Sequence, residues 1–176
     1  MAHPDRSAVQ LPPLELGARL DRILASAERL VASLPIRALD YTPPQRDRTV
    51  RDLAFHVFRL SLAYVDGVDM GALPEAWLQE QAPADLVDGP SVARYGALVR
   101  GRIAGWFEGA APTEYARVVN VYCGPQLSHD LLERTTWHAA QHLRQLYAMT
   151  ADLGLTPPEP LPTAEFEGLP LPSSLW

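Results

Sequence analysis

The sequence predicts an all-α protein: a four-helix bundle with a long crossover connection and a proline-rich C-terminal extension. Three observations carry this. Four stretches repeat apolar residues every three or four positions, the period of an amphipathic helix. Prolines and glycines fall in the gaps between those stretches, and only residues 115–122 (Tyr-Ala-Arg-Val-Val-Asn-Val-Tyr) read as a short β-prone piece. After Leu155 the chain carries Pro157, Pro158, Pro160, Pro162, Pro170 and Pro172, a density that no helix survives.

The first helix spans about residues 14–34, where Leu16, Leu20, Ile23, Ala27, Leu30 and Leu34 form one stripe and Pro35 stops it. A loop follows to Arg48. Thr49, with Asp52 three residues on, makes a cap for a second helix that runs to about Val65, with Gly67 as its terminator. Residues 66–90 hold Gly71, Pro74, Pro83 and Gly89 and form a long connection with a short helix near residues 75–80. A link that long between helices either crosses over the bundle or lines a site. Ser91 caps a third helix that reaches Glu108 before Gly109 and Pro112. Ser128 caps the last helix, which ends at Leu153 with Gly154 in the usual C′ place. The bundle thus occupies residues 1–154. The extension, residues 155–176, keeps Leu161, Phe166, Leu169, Leu171, Leu175 and Trp176 as apolar anchors for packing on the bundle or draping over it.

Composition narrows the function. A chain of 176 residues fits one core. Its net charge of −6 leaves no basic footprint for nucleic acid. Cys123 is the single cysteine, so neither an internal disulfide nor a cysteine-based zinc cluster can form. The first ten residues lack the apolar run of a signal peptide. No stretch approaches the roughly 20 apolar residues of a membrane span. The expected location is the cytoplasm, and the expected partner is a small-molecule substrate rather than a nucleic acid or a membrane.

The histidines carry the chemistry. His138 and His142 lie in Thr-Trp-His-Ala-Ala-Gln-His-Leu-Arg-Gln-Leu. A spacing of i, i+4 sets both imidazoles on one helix face, beside the apolar stripe of Leu131, Thr135, Ala139, Leu143 and Leu146. Alone, such a pair can be hydrogen-bonded or solvated. His56 changes the weighing, because Leu53 and Leu60 flank it on the inward stripe of the second helix. Three inward imidazoles must each bury a polar nitrogen with a partner, and one divalent ion satisfies all three. Ala139 stands where a zincin needs Glu, which removes the metalloprotease reading. Three neutral imidazoles leave a coordination position open, and they suit zinc, nickel, iron and copper alike.

A histidine on the second helix with His-x-x-x-His on the fourth resembles the DinB/YfiT-like superfamily of metal-dependent enzymes over about residues 14–153. The resemblance implies an up-up-down-down bundle with a long crossover, one divalent metal ion (zinc or nickel, with iron also compatible) on His56, His138 and His142, and a homodimer. Its characterised members include thiol S-transferases and a mycothiol-dependent maleylpyruvate isomerase. It therefore implies a transferase that activates a low-molecular-weight thiol such as glutathione or mycothiol. Two rivals stand beside it: a metal-dependent hydrolase using metal-bound water, and a stress-associated protein that binds metal or ligand without turnover.

Four polar residues sit where they could line a substrate or cofactor: Arg134 and Gln145 beside His138, Arg59 beyond His56, and Gln141. Each could equally be a surface residue at the edge of the core. Asp52 is a candidate to orient an imidazole, or simply part of the cap. His3, His129 and Cys123 carry no assigned role, and Trp106 and Trp137 read as packing residues.

Overall fold

A computed structural model describes residues 10–176; His3 lies outside the described residues. Helix α1 (Pro13–Ser33) starts on a proline at its first position and carries Glu15 in its first turn, both favourable at a helix N-terminus. Its Leu16, Leu20, Ile23, Leu24, Ala27, Leu30 and Val31 are fully buried. A single turn, α2 (Ile36–Leu39), follows Pro35. Helix α3 (Val50–Met70) starts as the sequence predicts: Thr49 Oγ1 accepts from the Asp52 amide at 3.0 Å, a cap worth about 1 kcal/mol.

Three boundaries differ from the sequence reading, each for a packing reason. Gly67 does not end α3. It is buried inside the helix with Leu73 packed over it, where a Cβ would meet Leu73 Cβ at 3.2 Å. Gly71 ends the helix instead, in the left-handed conformation at φ 72°. Helix α4 (Gly89–Gly109) is capped by Asp88, whose carboxylate accepts from the Ser91 amide while Ser91 Oγ accepts from the Asp88 amide. Ser91 is thus the reciprocal partner of the cap. In α5 (Ser128–Asp152) the cap position is Leu127, and the Ser128 hydroxyl is spent on Tyr64 OH at 3.2 Å.

Side-chain contacts fix the helix directions. Gly89 lies against Val31 and Leu34 while Gly17 lies against Phe107, so α1 and α4 are antiparallel. Tyr64 meets Ser128, and His56 meets His142, so α3 and α5 are antiparallel as well. Phe58 meets Gly96, and Asp69 meets Arg102 and Trp106, so α3 and α4 run the same way. Ser26 meets Tyr147 just as Leu11, ahead of α1, meets His129 near the start of α5. The order is up, down, down, up, not the up-up-down-down that the resemblance implied.

Parallel neighbours need a crossover, and residues 71–88 supply it. They include strand β1 (Ala72–Leu73) and a 3₁₀ turn, Glu75–Leu78. The β-prone segment forms β2 (Val118–Val121), which pairs in parallel with β1 and in antiparallel with β3 (Gly124–Leu127). The seat of α4 is tight: a Cβ on Gly89 would lie 2.2 Å from the Val31 carbonyl oxygen.

The proline-rich extension is packed. Leu169 is buried, and Leu161, Phe166, Leu171 and Trp176 rest on the core. Arg22 pairs with Glu165 at 2.7 Å, Arg19 donates to the Glu165 and Glu167 carbonyls, and Tyr147 OH accepts from the Leu161 amide. Among the described residues, no helix is long and apolar enough to cross a membrane.

Candidate metal centre

The antiparallel pairing of α3 and α5 brings His56 level with His138 and His142. His56 is 7% exposed on the inner face of α3, and the other two, one turn apart on α5, are half-buried. Ring centroids lie 4.7 Å apart for His138–His142, 5.1 Å for His56–His142 and 6.2 Å for His56–His138. One nitrogen from each ring falls within 4.8 Å of the others, so the three could hold a single metal ion.

The protonation states suit that role. Burial pushes the imidazoles below the usual 6.5: His56 to about 2, with help from His142, Arg48 and His138, and His138 to about 3, with help from His142, Arg134 and Arg48. Burial takes His142 to about 4 against the opposing hydrogen bond to Gln145 Oε1. All three are neutral at pH 7, the form a metal ligand needs. His142 Nδ1 is 2.7 Å from Gln145 Oε1, which satisfies that nitrogen. Among the described residues its Nε2, which is buried, has no hydrogen-bond partner. A buried nitrogen lone pair left without a donor is costly, and a cation is the partner it fits.

The histidines open into a cleft of about 370 Å3. Arg46, Asp47 and Arg48 reach it from the loop before α3, and Leu53, Met149 and Trp176 add apolar surface. Burial lowers the Arg48 pKa, only partly countered by Asp52. Among the described residues neither the Arg46 nor the Arg48 side chain is held in a hydrogen bond or ion pair.

The polar residues singled out in the sequence divide. Gln145 lines the cleft and touches His142. Gln141, one turn earlier, donates to the Ser174 and Leu175 carbonyls instead. Arg59 turns to the crossover, paired with Glu80 at 2.5 Å over the Trp77 ring. Arg134 leans over Tyr122 and donates to its hydroxyl and to Cys123 Sγ at the β2–β3 turn; only its charge reaches His138. Asp52 accepts from Thr49 Oγ1 at 2.7 Å and belongs to the cap. Trp137 lies against the His138 ring, with centroids 5.2 Å apart. Sequence reasoning missed Arg46, Asp47 and Arg48. Their only signal was two arginines in a loop just ahead of the helix bearing His56.

No protein-family model and no curated protein sequence matches the chain. Solved structures do. A DinB-like protein from Bacillus subtilis, YjoA, superposes with a TM-score of 0.65 at 14% identity, covering 84% of this chain and 95% of that one. YfiT from Bacillus subtilis, described as a probable metal-dependent hydrolase with an unusual four-helix bundle topology, gives a TM-score of 0.68 at 16% identity, covering 88% and 95%. With three histidines converging between the second and last long helices, the chain has the DinB/YfiT-like fold.

Proposed function

We propose that this chain is a metal-dependent enzyme that acts on a small anionic molecule, with transfer to or from a low-molecular-weight thiol as its reaction. The observation that carries this is the cleft. Three neutral imidazoles share it with two guanidiniums that, among the described residues, form no ion pair within salt-bridge distance. A partly desolvated guanidinium is stabilised by a carboxylate or phosphate, often in two-point contact. Arg46 and Arg48 bind and orient that anion. Leu53, Met149 and Trp176 exclude water from its other side. Gln145 Oε1 accepts a hydrogen bond from His142 Nδ1–H and holds the ring in place. His56, His138 and His142 would hold a divalent ion, and such an ion, when bound, would lower the pKa of a thiol or water and so supply a nucleophile near neutral pH.

The two arginines favour a carboxylate-bearing thiol, glutathione or bacillithiol. Mycothiol carries no carboxylate, and with it the arginines would take the acceptor substrate instead. Hydrolysis is the second reading, favoured by Asp47 in the cleft and by the description of YfiT. Asp47 would then receive the proton of the attacking water.

A thermal-shift titration of zinc-loaded protein tests the choice. Glutathione or bacillithiol should raise Tm, and Arg48→Met should remove that rise while zinc binding stays. If none of the three thiols moves Tm, the thiol reading fails. A hydrolytic activity lost in Asp47→Asn would put the second reading in its place.

A further inference from the structure

We infer that the C-terminal segment, residues 172–176, is a working part of the metal centre: by docking on α5 it selects the tautomer of His142 that can bind an ion. This rests on the metal reading above and adds to it the residues that position one ligand.

The argument starts from a group that can only accept. The Leu175 carbonyl oxygen takes the Gln145 Nε2–H at 2.7 Å. That fixes which way the Gln145 amide faces, so its Oε1 is the atom 2.7 Å from His142 Nδ1. An amide oxygen also only accepts, so Nδ1 carries the proton. A neutral imidazole has a single N–H, and the lone pair is left on Nε2. That is the buried nitrogen without a partner. Free of Leu175, the Gln145 amide could turn over and offer its NH2 to Nδ1. That would favour the Nε2–H tautomer, which has no lone pair on the buried Nε2.

Independent contacts hold the segment there. Gln141 Nε2 donates to Ser174 O at 3.1 Å and to Leu175 O at 2.7 Å. Arg144 Nη1 donates to Gln141 Oε1 at 2.8 Å and reaches Pro172 O at 3.4 Å. Gln141, Arg144 and Gln145 share one face of α5 by their spacing, and Trp176, one residue on, lines the cleft itself. The coupling runs both ways. An ion on Nε2 withdraws electrons from the ring, makes Nδ1–H a stronger donor and polarises the chain of hydrogen bonds through Gln145 to Leu175. Gln141 and Gln145 are therefore positioning residues, acting through His142.

Zinc affinity by chelator competition, with the His142 tautomer read from its imidazole 15N shifts in the metal-free full chain, tests this. Wild-type His142 should be the Nδ1–H form. Gln141→Leu removes two bonds to the segment without touching His142 or the cleft. It should shift His142 towards Nε2–H and weaken zinc binding by about tenfold, the low end for loss of a group that orients a ligand. Gln145→Glu cannot donate to Leu175, yet its carboxylate still accepts from Nδ1–H. It should therefore keep the wild-type tautomer and zinc affinity although its own bond to Leu175 is lost. An Nε2–H tautomer in the wild type overturns the inference, as does unchanged zinc affinity in Gln141→Leu. If the wild type takes up no zinc, the metal reading itself fails and the coupling to metal falls with it.

Discussion

The α3–α5 interface has two ends that solve the same problem differently. Near the start of α5, the fully buried Tyr64 places its hydroxyl on Ser128 Oγ and its ring edge-on to Trp106, with centroids 5.5 Å apart. Its polar atom is satisfied, and burial pushes its pKa well above the usual tyrosine range, so the phenol stays neutral. Two to four turns along, the same pair of helices brings three imidazoles together, leaves His142 Nε2 without a partner among the described residues and opens a cleft beside it. One end spends its polar groups on cohesion. The other holds them in reserve, and an unspent buried donor or acceptor marks where a ligand belongs.

The largest test of that contrast is His142→Ala. The purified variant should contain no stoichiometric metal by elemental analysis. It should also lose the zinc-dependent rise in Tm. For the wild type at a thousandfold excess over Kd that rise corresponds to about 4 kcal/mol, roughly 10 °C for a chain of this size. Metal retained in the variant would remove the distinction between the two ends.

Acid should break one end before the other. In the metal-free protein the three imidazoles are held below 6.5 when folded and return to it on unfolding. The unfolded chain therefore binds more protons between those values, and stability falls as pH drops from about 6.5 towards 4. For His142 alone the loss is about 3 kcal/mol, at about 1.4 kcal/mol per pH unit. Urea denaturation of chelated protein across that range should show a steepening loss, and saturating zinc should raise stability throughout without removing the slope, because the folded imidazoles are neutral with or without the ion. A flat metal-free profile would mean that the imidazoles are solvated.

Tyr64→Phe is the smallest effect. It strands Ser128 Oγ and should cost about 1 kcal/mol of stability by urea denaturation, with zinc affinity unchanged. A variant that loses zinc as well would show that the two ends are coupled along the interface.

The four long helices were legible in the sequence because each buries a stripe at helical spacing, and the i, i+4 pair with His56 was legible because those rings interrupt such stripes. What stayed hidden depends on the path of the chain between helices. Arg46 and Arg48 sit in an irregular loop, and periodicity gives no direction to a loop residue. Arg134 was placed beside His138 by its angle on the helix, but the β2–β3 turn lies closer to its guanidinium. Hydroxyls misled at two helix starts for a common reason. Ser91 and Ser128 both stand where a cap could be, but Asp88 offers a carboxylate to one helix and Tyr64 competes for the other serine. Helix order was not legible either: the resemblance implied up-up-down-down, and a stripe says which face is buried and not what lies against it.

The close seating of Gly89 on the end of α1 divides the crossover into a part that cannot change and a part that can. Any side chain at that position would wedge α4 away from the Val31 carbonyl, so the landing point is locked. The stretch between Glu80 and Pro83 has no such clash to answer for. Doubling the length of a flexible loop costs only about 0.6 kcal/mol, so insertions there can add new surface to the molecule while the helix that follows keeps its register.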